Sequence, residues 1–130
     1  MAVVVLDASV VLGALDAGDA HHESGLSALR ALLGSNFKIP AIAYAELLVH
    51  PTRHGQSAID RADAFLTSMS IDVEPISREI ARRAAAIRAT RRTVRLGDAL
   101  VLATGDVLDA DVVLTADARW LALSDRVRTI

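Results

Sequence analysis

A chain of 130 residues has room for one hydrophobic core, yet 52% of its residues are apolar and its mean hydropathy is +0.37. Part of that surface is therefore expected to face a second copy or another protein. The lack of cysteine excludes thiolate metal sites, cysteine nucleophiles and disulfides, while one Trp, one Tyr and two Phe are too few for a base-stacking platform. A net charge of −2 leaves any nucleic-acid contact to a local basic patch.

Ala2 to Leu6 is a β-branched run that reads as a strand buried on both faces. It lacks the cationic start of a signal peptide, and no apolar run approaches the ~20 residues of a membrane span, so a cytoplasmic protein is expected. A helix from Ser9 to about Ala17-Gly18 follows, then one from His22 to Leu33 stopped by Gly34. Phe37 to Ile39 reads as a second strand. Pro40 starts a helix over Ala41 to about Val49, which Pro51 is expected to end. Gln56 to Ser68 is helical and Ile71 to Glu74 a third strand. Ser77 caps a helix reaching about Thr90, and Gly97 opens an apolar helix from Asp98 to Leu108. Val112 to Leu114, a short helix over Ala118 to Leu123, and a last strand over Val127 to Ile130 complete the chain. Alternating strands and helices predict an α/β fold with a parallel sheet covered on both faces.

In such a sheet, ligands bind beyond the carboxyl ends of the strands where strand order reverses. Asp7 follows the first strand and Asp117 follows the fourth, so they meet if those strands are neighbours. Asp98 opens an apolar helix, and Glu46 lies among Ile42, Ala43 and Val49 on another. Taken singly, each has a structural explanation: Asp7, Asp98 and Asp117 as caps of helices, and Glu46 as the partner of a buried arginine. Together, with the only lysine (Lys38) not placed to neutralise them, they call for a cation. Carboxylate oxygens favour Mg²⁺, with Mn²⁺ as the alternative, and Ser9 and Thr115 are positioned to orient carboxylates or water.

Asp7-Ala8-Ser9, Glu46 in Ala-Glu-Leu-Leu, Leu96-Gly97-Asp98-Ala99-Leu100 and Leu114-Thr115-Ala116-Asp117 form an ordered set. In this order and spacing the chain resembles a PIN domain and, within that family, a VapC-type toxin of a bacterial toxin–antitoxin pair. The resemblance spans nearly the whole chain. It implies one PIN domain over residues 1–130, with strand order 3-2-1-4-5 and Asp7, Glu46, Asp98 and Asp117 as metal-binding catalytic acids. It also implies an Mg²⁺-dependent endoribonuclease, homodimeric and held inactive by a cognate VapB-like antitoxin. Two features depart from the family pattern: Gly97 stands where a proline is frequent, and Arg119-Trp120 replaces a frequent acidic–aromatic pair.

Arg88, Arg91, Arg92 and Arg95 precede Asp98 and are candidates for binding RNA phosphates, or an antitoxin's acidic tail; otherwise they form a solvated face. Asp19, His21, His22 and Glu23 read better as a helix start capped by Asp19 than as a metal cluster, and His50 and His54 flank the Pro51 turn. No late lysine supports a phosphorylated receiver, and no Gly-x-Gly-x-x-Gly supports dinucleotide binding. The alternative to a nuclease is a catalytically silent PIN-like module that acts by binding a small regulatory protein.

Overall fold

The Val-rich run that begins the chain is the central strand of the computed structural model, which describes all 130 residues. This strand, β1 (Val3–Leu6), pairs in parallel with β2 (Asn36–Pro40) on one side and β4 (Val112–Thr115) on the other. β3 (Ile71–Glu74) and β5 (Val127–Thr129) form the edges, giving the all-parallel order β3-β2-β1-β4-β5, as the resemblance implied. Val4, Val5 and Leu6 are all fully buried. Successive strand side chains point to opposite faces, so helices cover both sides of the sheet.

The helices are α1 (Ala8–Leu15), α2 (His22–Ala31), α3 (Ala41–His54), α4 (Gln56–Ser68), α5 (Arg78–Thr90) and α6 (Leu96–Val107), with a 3₁₀ turn at Ala118–Ala122. None is long and apolar enough to cross a membrane. Ser77 caps α5 as expected, its hydroxyl accepting the Ile80 N–H at 3.1 Å. Ile80 and Ala84 of α5 pack with Val94, Ala99 and Ala103 into a small second core, so α5 rests mainly on α6. In turn α6 lies close on β4: a Cβ at Gly105 would stand only 2.5 Å from Val113 Cγ2.

Several boundaries differ from the sequence expectation. Pro51 lies inside α3, which runs on to His54 and ends at Gly55, where φ is +103°. Proline withholds one N–H but its fixed φ suits a helix, and buried Ala43 and Leu47 hold the preceding turns in place. α6 begins at Leu96, so Asp98 is in its first turn and is neither its first residue nor its cap; the cap position is Arg95. There the carboxylate still faces the positive end of the helix dipole. Asp19 does not cap α2. His21 holds that position, and Asp19 instead accepts the His21 N–H at 2.8 Å within the preceding turn.

Candidate metal centre at the carboxyl end of the sheet

β1 and β4 are neighbours whose connections leave in opposite directions, which opens a crevice beyond their carboxyl ends. Leu6 pairs with Leu114, and the next residues, Asp7 and Thr115, stand side by side. The Asp7 N–H donates to the Leu114 carbonyl at 2.9 Å, continuing the ladder to the mouth of the crevice. Asp7 is 8% exposed and its carboxylate is held by three donors. The Ala8 N–H reaches Oδ1 at 2.9 Å, while the Ser9 and Thr115 hydroxyls reach Oδ2 at 2.7 and 2.8 Å. Each hydroxyl also ties down the loop after β4: Ser9 accepts the Ala116 N–H at 3.0 Å, and Thr115 accepts the Asp117 N–H at 3.1 Å. Ser9 and Thr115 therefore both hold the Asp7 carboxylate by hydrogen bonds.

Glu46, Asp98 and Asp117 border the same cleft of about 560 Å³ as Asp7. Glu46 comes from α3, and its side chain is more exposed than its apolar neighbours in sequence suggested. Its Oε1 lies against α6, where a Cβ added to Gly97 would be 3.0 Å away. Partial desolvation, then the charges of Asp7 and Asp98, push the Glu46 carboxyl above its usual range. Asp98 is raised in the same way, by desolvation first and then by Asp7 and Asp117, with Arg95 and Arg119 opposing.

Asp117 differs from the other three because it has its own cation. Arg119 donates Nε to Oδ1 at 3.0 Å and Nη2 to Oδ2 at 2.7 Å, and its backbone N–H adds a bond to Oδ1 at 3.0 Å. This pairing, led by the side-chain hydrogen bond, holds the Asp117 carboxyl below its usual range. Asp117 also caps the 3₁₀ turn, whose Trp120 is buried in the core. Lys38 pairs instead with Asp72 at 3.4 Å and Glu74 at 3.9 Å, so the cation at the acids is this arginine and not the lysine.

The donor set fits a hard divalent cation. Carboxylates from the end of β1, α3, α6 and the β4 loop line one crevice, and those of Glu46 and Asp98 are raised in proton affinity, first by burial and then by the charges of neighbouring acids. No three acidic or histidine side chains are gathered to ligand spacing in this conformation. Asp117 is turned onto Arg119.

A family model described as the PIN domain matches residues 4–125. The chain belongs to the PIN domain family. No curated protein matches it. Among solved structures, this PIN domain is similar to a Mycobacterium tuberculosis VapC20 described as a sarcin–ricin loop cleaving toxin, at 21% identity and a TM-score of 0.73 over 93% of this chain and 95% of that one. It is also similar to a chain of VapBC2 from Rickettsia felis bound to promoter DNA, at 13% identity and TM-score 0.77 over 98% of both chains. A toxin–antitoxin complex from Klebsiella pneumoniae gives 21% identity and TM-score 0.72, covering 97% and 96%.

Of the four arginines that precede Asp98 in this PIN domain, only Arg95 reaches the acids. It shares a recess of about 230 Å³ with Asp98, Asp117 and Arg119. Arg88 donates to the Arg92 carbonyl at 2.7 Å and so fastens the loop between α5 and α6. Arg91 and Arg92 are exposed and border neither recess. His21, which the sequence reads as part of a helix start, lines the acidic cleft. α1 passes close to its turn, where a Cβ at Gly13 would be 2.8 Å from the His21 carbonyl oxygen. His50 and His54 sit one turn apart on α3, ring centroids 4.2 Å from each other, beside a separate groove of about 490 Å³.

Proposed function

We propose that this PIN domain is a VapC-type endoribonuclease that hydrolyses RNA phosphodiester bonds with Mg²⁺, or Mn²⁺, held by Asp7, Glu46, Asp98 and Asp117. The observation that carries this reading is that four carboxylates from four separate parts of the chain border one crevice. Asp7, fixed by Ser9 and Thr115, would set the position of the other ligands. When bound, the cation would supply Lewis acidity, lowering the pKa of water and offsetting charge on the phosphate. Arg95 and Arg119, at the rim, are suited to the neighbouring phosphates of the strand.

The toxin–antitoxin neighbours support a small antitoxin as partner, which would hold the nuclease inactive. Leu33, Val49, Val73, Ile76, Leu96 and Leu121 are large exposed apolar residues, which supports a homodimer and an antitoxin contact. Hydrolysis by water leaves 5′-phosphate and 3′-hydroxyl ends, so end analysis after incubating pooled cellular RNA with the protein and Mg²⁺ tests the reading. Products with 2′,3′-cyclic phosphate, or the same cutting in chelator, would overturn it.

The Arg119–Asp117 pair favours one competing reading, a silent module whose fourth acid is permanently neutralised. Such a module would gain no thermal stability on Mg²⁺ titration, whereas a metal site gains it by linkage.

A further inference from the structure

Three of the four acids in the cleft have no cation of their own; the fourth has one supplied two residues along the chain. Arg119 grips both oxygens of Asp117 in a two-point fork, at 3.0 and 2.7 Å, and its side chain is otherwise 88% exposed. No other residue holds that guanidinium, and it borders both the acidic cleft and the smaller recess beside Asp98. The backbone N–H bond from Arg119 to Asp117 keeps the two close whatever the side chain does. The fork is therefore a removable cap on one corner of the site.

We propose that Arg119 is an internal counter-ion that competes with the divalent cation for Asp117 and so sets the cation concentration at which the site loads. This rests on the cleft being a metal site, as proposed above. A carboxylate oxygen engaged by a guanidinium N–H cannot present the same lone pair to a metal, and the positive charge of Arg119 also opposes a second cation nearby. Before loading, the fork keeps both oxygens of Asp117 bonded to Arg119. Loading requires the guanidinium to leave, which is cheap because its remaining surroundings are solvent. Arg119 acts through Asp117 and is a positioning residue.

The test is the affinity of the full chain for Mn²⁺, read from the electron paramagnetic resonance of free Mn²⁺, with no RNA present. Wild type, Arg119→Gln, Arg119→Lys and Asp7→Asn are compared, after melting curves in chelator show each to be folded. Arg119→Gln should bind roughly two- to fivefold tighter than wild type, the range expected on losing an exposed ion pair. Arg119→Lys, a point charge without the fork, should fall between them, and Asp7→Asn should bind at least tenfold more weakly. Equal or weaker binding by Arg119→Gln, with Asp7→Asn still impaired, overturns the competition and leaves the metal site standing. Equal binding by wild type and Asp7→Asn overturns both. If wild type shows no binding, a gain in Arg119→Gln supports the cap and its absence overturns both.

Discussion

The Thr115 hydroxyl at the end of β4 donates to Asp7 Oδ2 at the end of β1, 2.8 Å away and across 108 residues of sequence. The same oxygen receives Ser9 at 2.7 Å, so two hydroxyls from different parts of the chain fix one buried carboxylate. Thr115→Val keeps the shape and removes the donor, leaving a buried acceptor short of a partner. It is expected to cost about 1–2 kcal/mol in denaturant unfolding. Ser9→Ala, at a less buried position, should cost less, and each should weaken Mn²⁺ binding by loosening Asp7.

Gly97 separates stability from function. It sits in the first turn of α6 with no positive φ, and its missing side chain leaves space for Glu46 Oε1 and for Ile42 Cγ1, 3.0 and 3.7 Å from where a Cβ would be. Gly97→Ala should gain helix propensity worth up to about 1 kcal/mol while pushing the Glu46 carboxylate aside. The expected outcome is an unchanged or higher melting temperature with severalfold weaker cation binding. A variant with wild-type affinity would show that Glu46 does not depend on this approach.

Gly105 behaves in the opposite way. Its hypothetical Cβ, 2.5 Å from Val113 Cγ2, meets a stiff, fully buried side chain of β4. Gly105→Ala should destabilise the fold by about 1–3 kcal/mol through overpacking, seen as a lower denaturation midpoint. Because α6 also carries Asp98, lifting the helix off β4 should lower cation affinity as well.

The raised carboxyl of Asp98 predicts a pH-dependent gain on neutralisation. Its folded pKa lies above its unfolded one, so the charged form is the disfavoured one in the fold. That penalty is fully present above the folded pKa and disappears below the ordinary aspartate value of about 3.9. Asp98→Asn in chelator should therefore melt about 1–4 °C higher than wild type near pH 7, and the gain should vanish near pH 3. With Mg²⁺ present at neutral pH the order should reverse, because wild type alone keeps the carboxylate.

Much of this architecture is legible in the sequence because it follows from local patterns. A β-branched run followed by Asp7, and another ending three residues before Asp117, place acids at strand ends, and the alternation of elements makes the sheet parallel. What the sequence conceals depends on approach between elements or on side-chain choice. Pro51 suggests a stop, yet α3 continues for one more turn beyond a segment already anchored by buried Ala43 and Leu47. The arginines before Asp98 look like one patch, but the α5–α6 turn folds Arg88 onto Arg92 and leaves Arg95 alone beside the acids. Arg119 is two residues from Asp117, close enough to be suspected, but its fork is a rotamer choice that no spacing rule specifies.

The crevice acids are proposed to form one cation-dependent phosphodiester-cleaving site anchored by Asp7. The most direct measurement is the rate of RNA cleavage by wild type and Asp7→Asn with saturating Mg²⁺ and with chelator. Wild type should cut in Mg²⁺ only, and Asp7→Asn should lose at least ~100-fold, the scale of removing a key electrostatic group from an active site. Cleavage that persists in chelator, or an Asp7→Asn protein as fast as wild type, would contradict it.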